Sequence, residues 1–307
     1  MAVTASLVKE LREKSGAGMM DCKKALTETG GYLDAAVDWL RKRGLAAAAK
    51  KSSRIAADGL VGVVVNANKG AILEVNAETD FLARNDVFKN FVATVTNLVL
   101  QHGEDIENLN NTTYPGTTHT VAEQLANNVA IIGEKISLRR AKILSVSGGI
   151  VVSYVHNAVQ PGLGKIGVLV ALDSIGDNAR LYDIGKQIAM HVAATAPMCL
   201  SIEDLDGEVI KRERTILTEQ VRPIHNREDI TAKIIEGRMQ KFYQDVVLLE
   251  QKFIMNGEIQ ISKFLESATE IVGAAVRLTS FARIQLGEGI ERKEASFATQ
   301  VAASTPS

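Results

Sequence analysis

Gly162-Leu163-Gly164-Lys165-Ile166-Gly167 has the G-x-G-x-x-G spacing of a dinucleotide-binding turn. That chemistry needs a helix after the glycines, because the pyrophosphate rests on the helix N-terminus. Here Val168-Leu169-Val170-Ala171-Leu172 follows, a strand pattern, so the glycines read as a hairpin connection. No G-x-x-x-x-G-K-[ST] loop occurs. The five histidines, His102, His119, His156, His191 and His225, are scattered, and none has metal-ligand spacing to a cysteine or another histidine. His191 lies beside the apolar stripe of a helix and reads as a hydrogen-bonded, partly buried side chain, and His156 in its strand reads the same way. Glu104-Asp105 and Glu203-Asp204 fall in polar stretches and read as solvated. Spacing yields no Ser/His/Asp set. No catalytic residue, metal ligand or cofactor site is therefore assigned.

Two segments are unusual for pure structure. Gly16-Ala17-Gly18-Met19-Met20-Asp21-Cys22-Lys23-Lys24 sets two adjacent methionines at a glycine-rich turn. Neighbouring helical positions face about 100° apart, so a small bundle cannot readily bury both. Methionine is a common adaptable contact residue, and the competing reading is one core methionine and one exposed by chance. The second segment is Glu74-Val75-Asn76-Ala77-Glu78-Thr79-Asp80-Phe81-Leu82-Ala83-Arg84-Asn85, between a strand and a long helix. On pattern alone Asp80 reads as a helix cap and Phe81 as a core residue.

The elements that must position these residues follow from periodicity. The 307 residues allow two or three domains, and 46% hydrophobic with 23% charged residues is ordinary for a globular chain. A net charge of −1 argues against nucleic-acid binding by the chain as a whole, although residues 1–54 carry eleven Lys and Arg against six Asp and Glu. Cys22 and Cys199 make a disulfide framework implausible and fit a reducing compartment. The start lacks a signal-peptide pattern, and no apolar run reaches the roughly 18–20 residues of a membrane span. Residues 1–54 read as three short helices, with Leu33, Ala36, Val37 and Leu40 at amphipathic spacing in the third. Runs 60–66 and 71–76 read as a hairpin, 87–99 as a helix, 104–118 as a polar loop, 121–132 as a helix and 138–146 as a strand. The order recurs with a hairpin at 150–156 and 166–172, helices near 181–192 and 261–267, and a strand at 276–286. The second copy is interrupted by two helices that turn at Arg222-Pro223-Ile224-His225-Asn226, an antiparallel helical hairpin.

The expected fold class is α+β. Its divisions are a three-helix bundle at 1–54, a first core subdomain at 55–147, a second at 148–201 and 251–290, an inserted helical hairpin at 202–250, and a C-terminal helix and tail at 291–307.

The run from Leu11 through Gly16-Ala17-Gly18-Met19-Met20-Asp21-Cys22-Lys23-Lys24 to Leu26 resembles the first signature of the bacterial elongation factor Ts family. Glu74-Val75-Asn76-Ala77-Glu78-Thr79-Asp80-Phe81-Leu82 is similar to the second. Further similarity runs through Ile132-Gly133-Glu134, Met190-His191-Val192-Ala193-Ala194, Glu236-Gly237-Arg238-Met239 and Gly287-Glu288-Gly289-Ile290. Ala77, Lys135 and Lys252 depart from the Cys or Ser, Asn and Pro usual there, and residues 104–118 do not match. The resemblance implies a cytoplasmic guanine-nucleotide exchange factor, not an enzyme, that binds the GTPase elongation factor Tu without cofactor, nucleic acid or membrane. It implies that Asp80 and Phe81 insert into the GTPase domain and help dislodge Mg²⁺, with Thr79 and Leu82 flanking them. It further implies that Ile132 and Gly133 lie near the phosphate loop, that Leu11, Met19 and Met20 form an N-terminal docking surface, and that a module at 267–307 also meets the partner. A homodimer and a heterotetramer with the partner both remain open. Two other classes stay beside this one: an RNA- or ribosome-binding protein using the basic N-terminus, and a small-molecule enzyme with a site near His156 or His191.

Overall fold

Apolar residues at helical spacing near the N-terminus close on one another as three helices, α1 (Ala5–Ser15), α2 (Met19–Glu28) and α3 (Leu33–Lys51). A computed structural model of the chain describes residues 3–15, 17–221 and 228–291. The bundle core is small: Val8, Leu11, Cys22, Ala25, Leu26 and Ala36 are buried in it. The alanine run 46–49 continues α3, as alanine's helix propensity favours. Gly44 is buried where α3 packs against the core, with room for a Cβ in ordinary contact. A Cβ there would stand 3.4 Å from the Ala126 carbonyl oxygen and 3.5 Å from the Ala130 Cβ.

The first hairpin is β1 (Asp58–Asn66) and β2 (Lys69–Ala77), turning at Ala67 (φ 50°) and Asn68. Helix α4 (Asp86–His102) follows, then α5 (Ile106–Asn111), α6 (Val121–Ile132) and β3 (Ile136–Ser145), which pairs antiparallel with β2. The expected polar loop at 104–118 thus contains a helix. Asp105 caps it, accepting from the Asn108 N–H at 2.7 Å, and Leu109 buries its side chain in the core. One apolar anchor and a cap suffice against a packed face, but give no periodic signal over six residues.

The second unit has β4 (Gly149–His156), a two-residue strand β5 (Leu163–Gly164), β6 (Ile166–Asp173), helices α7 (Asn178–Thr195) and α10 (Ile261–Val272), and β7 (Arg277–Gln285). Between α7 and α10 stand α8 (Gly207–Val221) and α9 (Glu228–Val246), sealed by Leu217, Val221, Ile235, Met239, Tyr243 and Val247. The turn joining α8 to α9 and the expected helix at 291–303 lie outside the described residues.

The two units repeat one topology. The sheets run β3-β2-β1-β5 and β4-β6-β7, so in each the last strand pairs with the second strand of the hairpin. Each hairpin opens on a left-handed glycine, Gly59 (φ 122°) and Gly149 (φ 112°). Both positions are equally tight: a Cβ at these glycines would meet a carbonyl oxygen at 2.1 and 2.2 Å. The helix before the last strand of each unit, α6 and α10, ends on a left-handed glycine, Gly133 and Gly273.

The sheets stack face to face with helices outside. Along β6 alternate residues divide between two cores: Val168, Val170 and Leu172 face α7 and α10, while Leu169 and Ala171 face the first sheet. That is the period-two rule with both faces buried, and it explains the unbroken apolar run. The G-x-G-x-x-G glycines sit in this contact. Gly164 pairs with Val61 of β1, and a Cβ at Gly167 would lie 2.6 Å from the Val63 side chain.

Candidate partner-binding site

The site is built where β2 leaves the first sheet. Pairing of β2 with β3 ends at Ala77 opposite Ile136. Glu78 and Thr79 follow, then a 3₁₀ turn at Asp80–Arg84. Leu82 and Ala83 occupy the core-facing positions of that turn, buried in the same cluster as Phe88. Phe81 is left 74% exposed, and Asp80 is exposed beside it. Both pattern-based readings are therefore corrected. Phe81 is not core, and the cap of α4 is Asn85, whose Oδ1 accepts from the Phe88 N–H at 3.1 Å. Leaving a phenylalanine in water forgoes roughly 1.5–3 kcal/mol of burial, and nothing within the fold requires it.

Gly133 ends α6 in the left-handed region (φ 88°), exposed, with no atom within 4 Å of where a Cβ would stand. The next residue, Glu134, reaches across to the β2 exit. Its Oε2 accepts from the Thr79 N–H at 3.0 Å and its Oε1 from the Thr79 hydroxyl at 2.8 Å. Phe81, Ile132 and Gly133, far apart in sequence, thus share one corner. Ile132 is half-buried against the first core, Ile131 beside it is 39% exposed, and Val87 at the start of α4 is 47% exposed.

A second set of bonds ties this corner to the N-terminal bundle. Glu78 accepts from the Lys135 N–H at 2.5 Å and pairs with the Arg54 guanidinium at 3.2 Å. Lys135 Nζ donates to the carbonyls of Ser52 at 2.7 Å and Arg54 at 2.8 Å, just beyond the end of α3. The Lys135 departure from the family pattern thus has a structural use. Arg41 of α3 also pairs with Glu123 of α6.

On the bundle, Met19 and Met20 are 59% and 74% exposed at the start of α2, so neither is core. Leu11 is fully buried among Val8, Cys22 and Leu26, and Leu82 is 4% exposed. Neither presents more than a trace of its side chain at the surface of the free chain. They hold the exposed residues from beneath, because the small bundle and the 3₁₀ turn each need an apolar anchor. A cleft of about 950 Å³ opens between bundle and core, bordered by Gly18, Asp21 and Arg43 on one side and Val87, His119 and Ile131 on the other. Sequence reasoning missed Glu134, Glu78 and Arg54 as supports, since partners 24 to 57 residues apart leave no periodic trace.

His191, His156 and Cys199, also singled out in the sequence, lie in the second unit. Burial pushes the His191 imidazole below its ordinary pKa, with the Gln251 hydrogen bond opposing. Its Nδ1 accepts from the Ile254 N–H at 3.3 Å, so Nε2 carries the proton and donates to Gln251 Oε1 at 2.9 Å. His156 ends β4 exposed, 3.1 Å from the Tyr154 hydroxyl. Cys199 lines a cavity of about 620 Å³ with Met198, Asp204 and Arg283, and burial together with Asp204 pushes its thiol up, toward the unreactive protonated form. Among the described residues no group of His, Cys, Asp and Glu could hold a metal ion, and no helix is long and apolar enough to cross a membrane.

Comparison with known proteins places the chain among relatives of one family. A family model described as Elongation factor TS matches residues 78–288. The chain is 58% identical over 300 residues to an elongation factor Ts of Rhodospirillum centenum, covering 98% of both chains. It is 55% identical to that of Rhodospirillum rubrum over 302 residues and 50% identical to that of Parvibaculum lavamentivorans over 301, each covering 98% of both chains.

Proposed function

Because the chain belongs to the elongation factor Ts family, a family of translation elongation factors, we propose that it is the cytoplasmic guanine-nucleotide exchange factor of elongation factor Tu. It binds that GTPase, loosens Mg²⁺ and GDP, and makes or breaks no covalent bond itself. The observation that carries the reading is Phe81, 74% exposed on a corner fastened from two sides. Asp80 and Phe81 form the inserted tip, Ile132 and Gly133 the adjoining surface, and Met19 and Met20 a second contact on the bundle. Thr79 holds the tip from the side, and Leu82 and Leu11 support the two surfaces from within. The working divisions are 1–54, 55–147, 148–201 with 251–290, 202–250 and 291–307.

Exchange requires tighter binding to the nucleotide-free partner, and linkage makes the weakening reciprocal. A thousandfold faster release lowers the barrier by about 4 kcal/mol. Burying one phenylalanine supplies roughly 1.5–3 kcal/mol. The tip therefore needs a broad interface behind it, and the exposed apolar side chains of Met198, Ile254 and Met255 offer further area on the other unit.

The test is release of a fluorescent GDP analogue from elongation factor Tu with this protein at substoichiometric concentration. The expected result is catalytic acceleration, cut more than about tenfold by Phe81→Ala with folding intact. No acceleration by the folded wild-type chain sinks the exchange reading. Wild-type rates from Phe81→Ala sink the assignment of the tip.

A further inference from the structure

We propose that Glu134 is a positioning residue for exchange, holding the Thr79–Phe81 turn in the pose that enters the partner. The proposal rests on the exchange reading and adds to it a residue that does not itself insert.

The backbone at Thr79 has lost its sheet. The β2–β3 ladder ends at Ala77 and Ile136, so the Thr79 N–H has no strand carbonyl to bond. Thr79 is also the residue preceding the 3₁₀ turn, where a threonine hydroxyl ordinarily caps the turn, and here it makes no such bond. Both donors go instead to the two oxygens of one carboxylate, at 3.0 and 2.8 Å. A two-point bond to a charged acceptor is stronger than a neutral one and fixes direction as well as distance.

Glu134 can reach because Gly133 turns the chain in the left-handed region directly after α6. The clamp therefore does more than hold Thr79. It joins the Phe81 turn to Ile132-Gly133, making the tip and the adjoining surface one body. Leu82 and Ala83 anchor only the far side of Phe81. Without Glu134 the near side keeps only the bonds of Glu78 to Lys135 and Arg54, one residue farther from the tip. A ring that must be oriented before it inserts then spends binding energy on ordering.

A purely structural role would lower stability and leave turnover intact. A positioning role lowers the maximal exchange rate while docking through the bundle persists. The experiment measures GDP-analogue release from elongation factor Tu across a range of concentrations of the full chain. Glu134→Ala should lower the maximal rate by about fivefold or more, with the half-saturating concentration changed less than about twofold. Glu134→Gln can accept from the Thr79 N–H with its amide oxygen and donate to the hydroxyl with its amide nitrogen, and should recover most of the rate. A wild-type maximal rate from Glu134→Ala overturns the proposal, as does an effect confined to half-saturation or to thermal stability. If Glu134→Ala does not fold, Thr79→Val, which deletes only the hydroxyl bond, should lower the maximal rate, and Thr79→Ser should restore it; unchanged rates in both overturn it. If the wild-type chain gives no acceleration, the exchange reading fails by itself. Hydrogen exchange in the free protein then judges the clamp: the Thr79 amide should lose protection by about tenfold or more in Glu134→Ala, and retained protection removes the proposal.

Discussion

Glu74 lies midway along β2 with no exposed surface, and its carboxylate joins three distant segments. Arg139 Nη1 donates to it at 2.9 and 3.1 Å, Arg140 Nε at 2.6 Å, Asn76 Nδ2 at 3.0 Å and the Gly287 N–H at 2.7 Å. The last bond brings the turn after β7 onto the first sheet, 213 residues away in sequence. Burial by itself raises the carboxyl pKa, but the bonds from Gly287, Asn76, Arg140 and Arg139 together outweigh it and hold the group below the usual glutamate range. Glu74→Ala removes the shared acceptor and leaves two arginines without their buried partner. Breaking such a cluster on one side costs about 3–5 kcal/mol. Glu74→Gln keeps one acceptor oxygen and should cost less, about 1–3 kcal/mol. Urea unfolding followed by far-UV circular dichroism measures the difference; Trp39 fluorescence would report the N-terminal bundle, where that residue sits on α3. A depressed folded pKa means the folded chain binds fewer protons than the unfolded one. The stabilisation is therefore complete above the unfolded glutamate value of about 4.3 and disappears as pH falls through the folded pKa. A cost of less than about 1 kcal/mol for Glu74→Ala, or no narrowing of the gap to wild type below pH of about 4, would refute the reasoning.

Gly59→Ala forces a Cβ to 2.1 Å from the Val75 carbonyl at a φ of 122°, and should cost more than about 2 kcal/mol in the same unfolding assay. His191 is held neutral by burial, so its contribution is full above its unfolded pKa of about 6.5 and declines as pH falls below it. Thermal midpoints taken from pH 7.5 to 5 should drop in the wild type and flatten in His191→Gln. Leu11→Ala should destabilise the bundle by about 2–5 kcal/mol, whereas Met20→Ala should leave unfolding within about 0.5 kcal/mol of wild type and weaken partner binding in calorimetric titration.

Periodicity made most of the elements legible. The stripe from Phe88 to Val99 gave a helix, the β-rich runs on either side of the 67–70 turn gave a hairpin, and the recurring order gave the two units. These signals are local, because side chains a few residues apart share a face whatever the rest of the chain does. The same logic failed at α5, where one buried leucine and an aspartate cap are too few to form a pattern.

The residue types at the corner were also visible: the Thr79-Asp80-Phe81-Leu82 run, Ile132-Gly133 and the paired methionines all stand in the sequence. Which of them face water was not. Phe81 and Leu82 are adjacent and both apolar, yet one is 74% exposed and the other 4%. Leu11 and Met20 belong to the same signature, and only the methionine reaches the surface. Exposure depends on what the rest of the chain packs against a position, and that is settled by contacts between segments distant in sequence. Glu134 on Thr79, Lys135 on Ser52 and Glu74 on Gly287 are such contacts. The sequence by itself determined the elements, their repetition and the residues available to bind. Tertiary packing decided which of those residues are presented and what holds them, because a carboxylate's partner is chosen by the distance left after folding and not by separation along the chain.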